Sequence, residues 1–189
     1  MKLKFKLQGF QTDAVNAVCA LFDGQQRETS TFSMEQSGGQ MELFANLGVA
    51  NTLLLNDGKI IENMREVQRK NVLPQTFDLQ GRQFSVEMET GTGKTYVYTK
   101  TIYELNHLYG FTKFIIVVPS VAIREGVYKS LQTTQEHFAG EYNKKIRFFI
   151  YNSDRLTEVD RFASDSAINV MIINMQAFNS SKNQRIIDK

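Results

Sequence analysis

Apolar side chains recur along this chain at two spacings. Over residues 1–7 lysines alternate with Leu3, Phe5 and Leu7, the period of a strand with one buried face. Its three lysines then make a solvated face, with phosphate contact as the other use. Phe10, Ala14, Ala17, Val18 and Leu21 fall at helical spacing, which predicts a helix over residues 11–22. Residues 24–57 change character, with Gly38-Gly39, many Gln, Ser and Thr residues, and the turn signal Asn56-Asp57-Gly58. They read as an insertion with short strands, including a hairpin around residues 43–55. Residues 59–70, KIIENMREVQRK, predict a charged amphipathic helix whose Arg69-Lys70 end suits the helix dipole.

From residue 83 the pattern is regular. Residues 84–88 predict a strand, followed by a glycine loop. A helix comes next, with Tyr98, Ile102, Leu105 and Tyr109 on one face and Gly110 as its stop. Residues 114–118 are a continuous apolar run closed by Pro119, as expected of a strand buried on both faces. Ile123, Val127, Leu131, Thr134 and Phe138 mark the stripe of another helix. Residues 146–151 predict a strand. Leu156, Val159 and Phe162 sit on a short helix capped by Ser153 or Asp154, and residues 168–173 form a further strand. Strands alternating with helices imply an α/β fold with a mainly parallel sheet covered on both faces.

The length of 189 residues fits one domain with a substantial core, carrying an insertion at about residues 24–82. A net charge of +2 permits nucleic-acid binding but does not argue for it, so any such contact needs a local patch. The single cysteine, Cys19, excludes an internal disulfide and a cysteine-rich zinc site; among Ala17, Val18, Ala20 and Leu21 it reads as a small buried hydrophobe. The apolar run 114–118 is far too short for a membrane span, and no signal-peptide pattern opens the chain. No membrane association and a cytoplasmic location are the expectation.

The candidate chemistry lies in residues 86–98, VEMETGTGKTYVY. Between a strand and a helix, Gly91 and Gly93 let the backbone turn tightly and aim amide N–H groups inward, and the following helix start favours an anion. Lys94 can reach phosphate oxygens and the Thr95 hydroxyl can ligate magnesium. The strict pattern wants a glycine where this chain has Met88; that position only opens the loop. A plain glycine-rich turn with an exposed lysine is the other reading. Gln11, after Phe10 at a helix start, offers the donor and acceptor that the edge of adenine requires, or is a surface glutamine.

Magnesium and an attacking water also need an Asp or Glu at a neighbouring strand tip. Residues 114–118 end in Pro119-Ser120 and residues 168–173 in Asn174-Met175; only Ile186-Ile187-Asp188 faintly resembles an acidic strand end. Glu87 and Glu89 flank Met88 and read as solvated or sheet-edge residues, with pointing toward the site as the other reading. His107 and His137 lie near helix ends without a catalytic or metal pattern around them. The hydrolytic machinery is therefore incomplete in this chain.

The run FSVEMETGTGKTYVYTKTIYELNHLYGFTKFIIVVPSVAIREGV over residues 84–127 closely resembles the motor of type III restriction enzymes, the restriction (Res) subunits among the superfamily 2 helicases and translocases. Phe10-Gln11, KIIENMREVQRKN and NVMIINMQAFN also resemble that family. The resemblance covers nearly the whole chain, least securely residues 24–57. It implies a three-layer RecA-like P-loop NTPase domain. It further implies ATP and Mg2+ as cofactors, with Gln11 reading adenine, Thr90, Gly91, Thr92, Gly93, Lys94 and Thr95 holding the phosphates, and Lys94 and Thr95 as the key pair.

Pro119 and Ser120, with Val118, match a segment that touches a nucleic-acid backbone, and Asn174 and Gln176 belong to the next such segment. Implied partners are double-stranded DNA and a methyltransferase (modification) subunit that supplies site recognition; the whole subunit is an ATP-dependent site-specific deoxyribonuclease. A full subunit continues with an acidic box, a second RecA-like domain and a nuclease domain. The chain therefore reads as an amino-terminal fragment, incomplete at its C-terminus, expected to bind ATP weakly at most and to hydrolyse little by itself. Alternatives are a type I restriction motor or repair helicase and, in another class, a small-molecule kinase or nucleotide-sensing module.

Overall fold

The computed structural model describes residues 5–6, 8–27, 50–79 and 81–178. Two compact units make up the chain: Met1–Arg27 with Thr52–Tyr109, and Glu28–Asn51 with Gly110–Lys189. The expected strand over residues 1–7 and most of the expected insertion lie outside the described residues.

Among its described residues the first unit is helical. Helix α1 (Gly9–Ala20) packs against α3 (Lys94–Tyr109) and α2 (Asp57–Lys70). Val15, Cys19, Leu21, Ile60, Met64, Val97, Ile102, Tyr103 and Leu105 are buried apolar residues of this unit. Burial, with Glu104 adding to it, pushes the Cys19 thiol up to about 12, so it stays protonated and packs as a hydrophobe. The Tyr109 hydroxyl donates to the Cys19 carbonyl at 3.0 Å, tying the ends of α1 and α3. Asn63 donates to the carbonyls of Leu21 and Asp23, and Gln25 bonds Thr52 O and Leu54 N.

The Asn56-Asp57-Gly58 turn signal proves to be the start of α2. The Asn56 side chain accepts from Lys59 N at 2.9 Å, an N-cap. Residues 50–55 form no hairpin strand. Nor do residues 84–88 form the expected strand: residues 83–89 are irregular and Val86 is exposed. A strand is stable only when its backbone groups enter a ladder, and none is formed there among the described residues.

The second unit is α/β. Strands β1 (Lys113–Val118), β2 (Arg147–Ile150) and β3 (Asn169–Asn174) form a parallel sheet in the order β1-β3-β2. Parallel neighbours need crossover connections, supplied by α4 (Val121–Tyr142) and α5 (Leu156–Ser164); a single turn, α6 (Met175–Phe178), follows β3. Every residue of β3 is buried. Alternate residues face opposite sides of a sheet, and the rings show which helix covers which side. Phe148 meets Tyr128 of α4 at 5.2 Å, whereas Phe149 meets Phe162 of α5 at 6.0 Å. Met171 and Ile173 join Phe149, Tyr151, Val159 and Phe162 in the core on the α5 side.

The expectation that residues 114–118 are buried on both faces is corrected. Ile115 and Val117, in register with Met171 and Ile173, are 53% and 50% exposed. Short α5 packs on β3 and β2, and this face of edge strand β1 is left open. The expected cap of α5 is also corrected. Arg155 occupies the cap position without a side-chain bond, while the Asn152 side chain accepts from Asp154 N.

Asp165 gathers the N-terminal ends of all three strands. Its carboxylate accepts from Arg147 before β2's apolar run, from the Asn169 side chain of β3 and from Ala167 N, and its carbonyl accepts from Lys113 Nζ of β1. Burial pushes the Asp165 carboxyl up, but the Ala167 N–H, Asn169, Arg147 and Lys113 outweigh it and hold the group below its ordinary value. A depressed folded-state pKa contributes stability above the unfolded value that is lost as pH falls through the folded one. Stability should therefore decline as pH drops below roughly 4. Asp165→Asn should cost about 1–3 kcal/mol at neutral pH and flatten that acid decline, measured by urea unfolding between pH 2 and 7.

Candidate nucleotide site

Residues 90–93 form a turn that runs directly into α3 at Lys94. Gly91 and Gly93 have φ of +83° and +88°, in the left-handed region where a side chain is strained. Position 93 is also spatially closed, because a Cβ there would lie 2.5 Å from Gln11 Nε2. Two bonds fix the loop. Gln11 Nε2 donates to the Thr92 carbonyl at 2.9 Å, and the Thr92 hydroxyl donates to the Glu89 carbonyl at 2.6 Å.

Gln11, Thr92 and Gly93, far apart in sequence, are thus brought together in the first unit, with Lys94 and Thr95 next along α3. The Gln11 bond uses one of its amide's two N–H groups. Thr90, Gly91 and Lys94 are exposed, while Thr92, Gly93 and Thr95 are half-buried. The first N–H groups of α3 have no intrahelical acceptors by construction, and the helix dipole adds positive potential there. The arrangement of glycine turn, helix start, lysine and hydroxyl suits a polyphosphate anion. Glu87 and Glu89 are solvated, as one of their two expected readings had it.

In the second unit, Val118 pairs with Asn174. Pro119 and Ser120 after β1, and Asn174 and Gln176 at the end of β3, therefore share the C-terminal edge of neighbouring strands. Asn174 is buried, Pro119 and Gln176 are exposed, and the Ser120 oxygen caps α4 by accepting from Ile123 N at 3.3 Å. No acidic residue stands at this edge of β1 or β3, and Asp188 lies outside the described residues. Among the described residues no group of three His, Cys, Asp or Glu side chains could hold a metal ion. His137 lies 3.7 Å from Glu141, one turn along α4, and His107 is exposed near the end of α3. No helix among the described residues is long and apolar enough to cross a membrane.

Sequence reasoning placed Tyr98 on a helical stripe and missed its polar end. The Tyr98 hydroxyl is buried without a hydrogen bond of good geometry. Its i+3 spacing from Thr95 was the available signal.

A family model described as "Type III restriction enzyme, res subunit" matches residues 4–189. Among curated proteins, the chain is 37% identical over 108 residues to the type III restriction-modification enzyme EcoPI Res subunit of Escherichia phage P1. It is 36% identical over 108 residues to the EcoP15I Res subunit of Escherichia coli. Each alignment covers 54% of this chain and 11% of the relative. The StyLTI Res subunit of Salmonella typhimurium is 37% identical over 118 residues, covering 53% of this chain and 12% of that protein. The chain thus matches about a tenth of each relative's length. The family brings with it a RecA-like P-loop domain, in keeping with the α/β architecture and parallel sheet, and a general capacity to bind nucleotide: this chain belongs to the family of type III restriction enzyme res subunits.

Proposed function

We propose that the chain forms most of the first RecA-like motor domain of a type III restriction subunit, with an insertion at about residues 24–82, and that its glycine loop holds ATP with Mg2+. The observation that carries this is the loop itself: two left-handed glycines opening onto α3, with Gln11 bonded to Thr92 across the turn. ATP fits these residues. Thr90, Gly91, Thr92 and Gly93 would wrap the phosphates and Lys94 would neutralise their charge. Gln11 keeps an N–H and its carbonyl oxygen for adenine. Magnesium fits too, because it takes few protein ligands when phosphates and water fill the rest, and Thr95 would be its protein donor. When bound, the ion supplies charge neutralisation at the β- and γ-phosphates.

Pro119, Ser120, Asn174 and Gln176 would meet a DNA backbone through hydroxyl, amide and main-chain groups, which position without reading sequence. That mode suits a chain with a net charge of only +2. The complete protein would be a cytoplasmic, ATP-dependent site-specific deoxyribonuclease working on double-stranded DNA with a modification methyltransferase subunit. The acidic residue for hydrolysis would come from beyond the described residues.

The test is turnover by the full-length subunit with and without duplex DNA. Severalfold stimulation by the duplex is expected. Complete indifference to DNA would point to a nucleotide-sensing module or small-molecule kinase instead.

A further inference from the structure

Threonines inside helices of this chain usually turn their hydroxyl back to the carbonyl four residues earlier. Thr99 does so to Thr95, Thr101 to Val97, Thr133 to Lys129 and Thr134 to Ser130. Thr95 does not, because α3 starts at Lys94 and the carbonyl four residues back belongs to Gly91, out in the loop. Its hydroxyl proton therefore lacks the acceptor that its fellow threonines use. One helical turn further, on the same side of α3, stands the phenol oxygen of Tyr98, buried without a hydrogen bond of good geometry. A buried hydroxyl without a well-formed bond is costly, so its persistence beside Thr95 calls for a use.

A hydroxyl that ligates a cation does so through an oxygen lone pair, and its own hydrogen must then go to another acceptor. We propose that Tyr98 is a positioning residue for Thr95: its phenol oxygen accepts the Thr95 hydroxyl proton and thereby turns the oxygen's lone pair to the cation carried by a bound nucleoside triphosphate. The two residues already interact. Burial pushes the Tyr98 phenol up, and the Thr95 side chain pulls it partly back, the sign expected of a group that donates to the phenol oxygen. This inference rests on the nucleotide reading of the glycine loop.

The test is calorimetric titration of the full chain with ATP, once with magnesium and once with EDTA. Wild type, Tyr98→Phe, Thr95→Ala and the double variant are compared. Magnesium should tighten binding to wild type. Tyr98→Phe should reduce that increment roughly three- to tenfold, the worth of one hydrogen bond, and should subtract little more in the Thr95→Ala background, because the two act as one unit. A full wild-type increment in Tyr98→Phe, or fully additive losses in the double variant, overturns the inference while leaving the nucleotide site standing. No binding of ATP by wild type in either condition overturns the nucleotide reading and the inference with it. Should Tyr98→Phe lower the thermal midpoint, Thr95→Ser decides, since it keeps the hydroxyl and drops only a methyl group. Retention of the increment supports the hydroxyl pair and its loss overturns it.

Discussion

Lys94→Ala should leave the chain folded and weaken its hold on a nucleoside triphosphate sharply. Lys94 is exposed at the first position of α3, and alanine is the best helix former, so the thermal midpoint should barely move. The triphosphate loses its one flexible cation in the loop. Backbone N–H groups and the helix dipole remain, but they are partial charges facing three or four full ones. A charge-assisted bond contributes about 1.5–3 kcal/mol, so affinity should fall roughly ten- to more than a hundredfold. In the full-length subunit the same variant should lose ATPase activity, because on the proposed reading the lysine would also meet charge that develops in the transition state. Near-normal turnover would remove Lys94 from the machinery, and the phosphate-cradle assignment with it.

Phe138→Ala gives the largest expected loss of stability. Phe138 is 0% exposed in α4, with the His137 ring 4.9 Å away and Tyr142 one turn on. Leu131, two turns earlier, is also fully buried, as are Val170 and Ile172 on the sheet face opposite α5. Truncating a ring in such a site loses its transfer free energy and leaves a cavity that rigid neighbours fill poorly. The expected cost is about 3–5 kcal/mol, a fall in thermal midpoint on the order of 10 °C. Urea unfolding measures it through the midpoint at unchanged slope. A cost below about 1 kcal/mol would mean that α4 is not seated on the sheet as described.

The elements legible in the sequence were those with a strong period or a chemical signature. In the stripe Ile123, Val127, Leu131, Thr134 and Phe138, the last four are buried as their spacing required, whereas Ile123 in the first turn of α4 is exposed. The glycine loop was legible because two glycines before a helix have few structural alternatives, and Gly91, Gly93 and Gly110 all take positive φ. The strands of the second unit emerged from runs of β-branched and aromatic residues. What failed were inferences needing a partner that sequence does not name. Residues 84–88 carry strand-like alternation, but pairing is a property of two segments. Residues 114–118 look buried on both faces, yet burial depends on how far short α5 reaches. Asn56-Asp57-Gly58 could be a turn or a helix cap, and only the register of α2 decides.

In the site, the residue types were readable and their pairing was not. Gln11 and Thr92 stand 81 positions apart, and nothing local to either announces the bond. Tyr98 shows the reverse: its distance along the helix was plain, but its hydroxyl counted for nothing in an apolar stripe.

The clamp at Asp165 has a consequence for how this sheet tolerates change. All three strands run the same way, so each has one end knitted by Asp165, Arg147, Asn169 and Lys113 and another that opens at Ser120 and Asn174. If the open end is where DNA is met, as proposed, cohesion and contact with other molecules are segregated along the strand axis. Variation near the knitted end should then register as a change in melting, and variation at the open end as a change in DNA binding. A sheet polarised in this way can alter its open rim over evolutionary time without renegotiating the bonds that hold it shut.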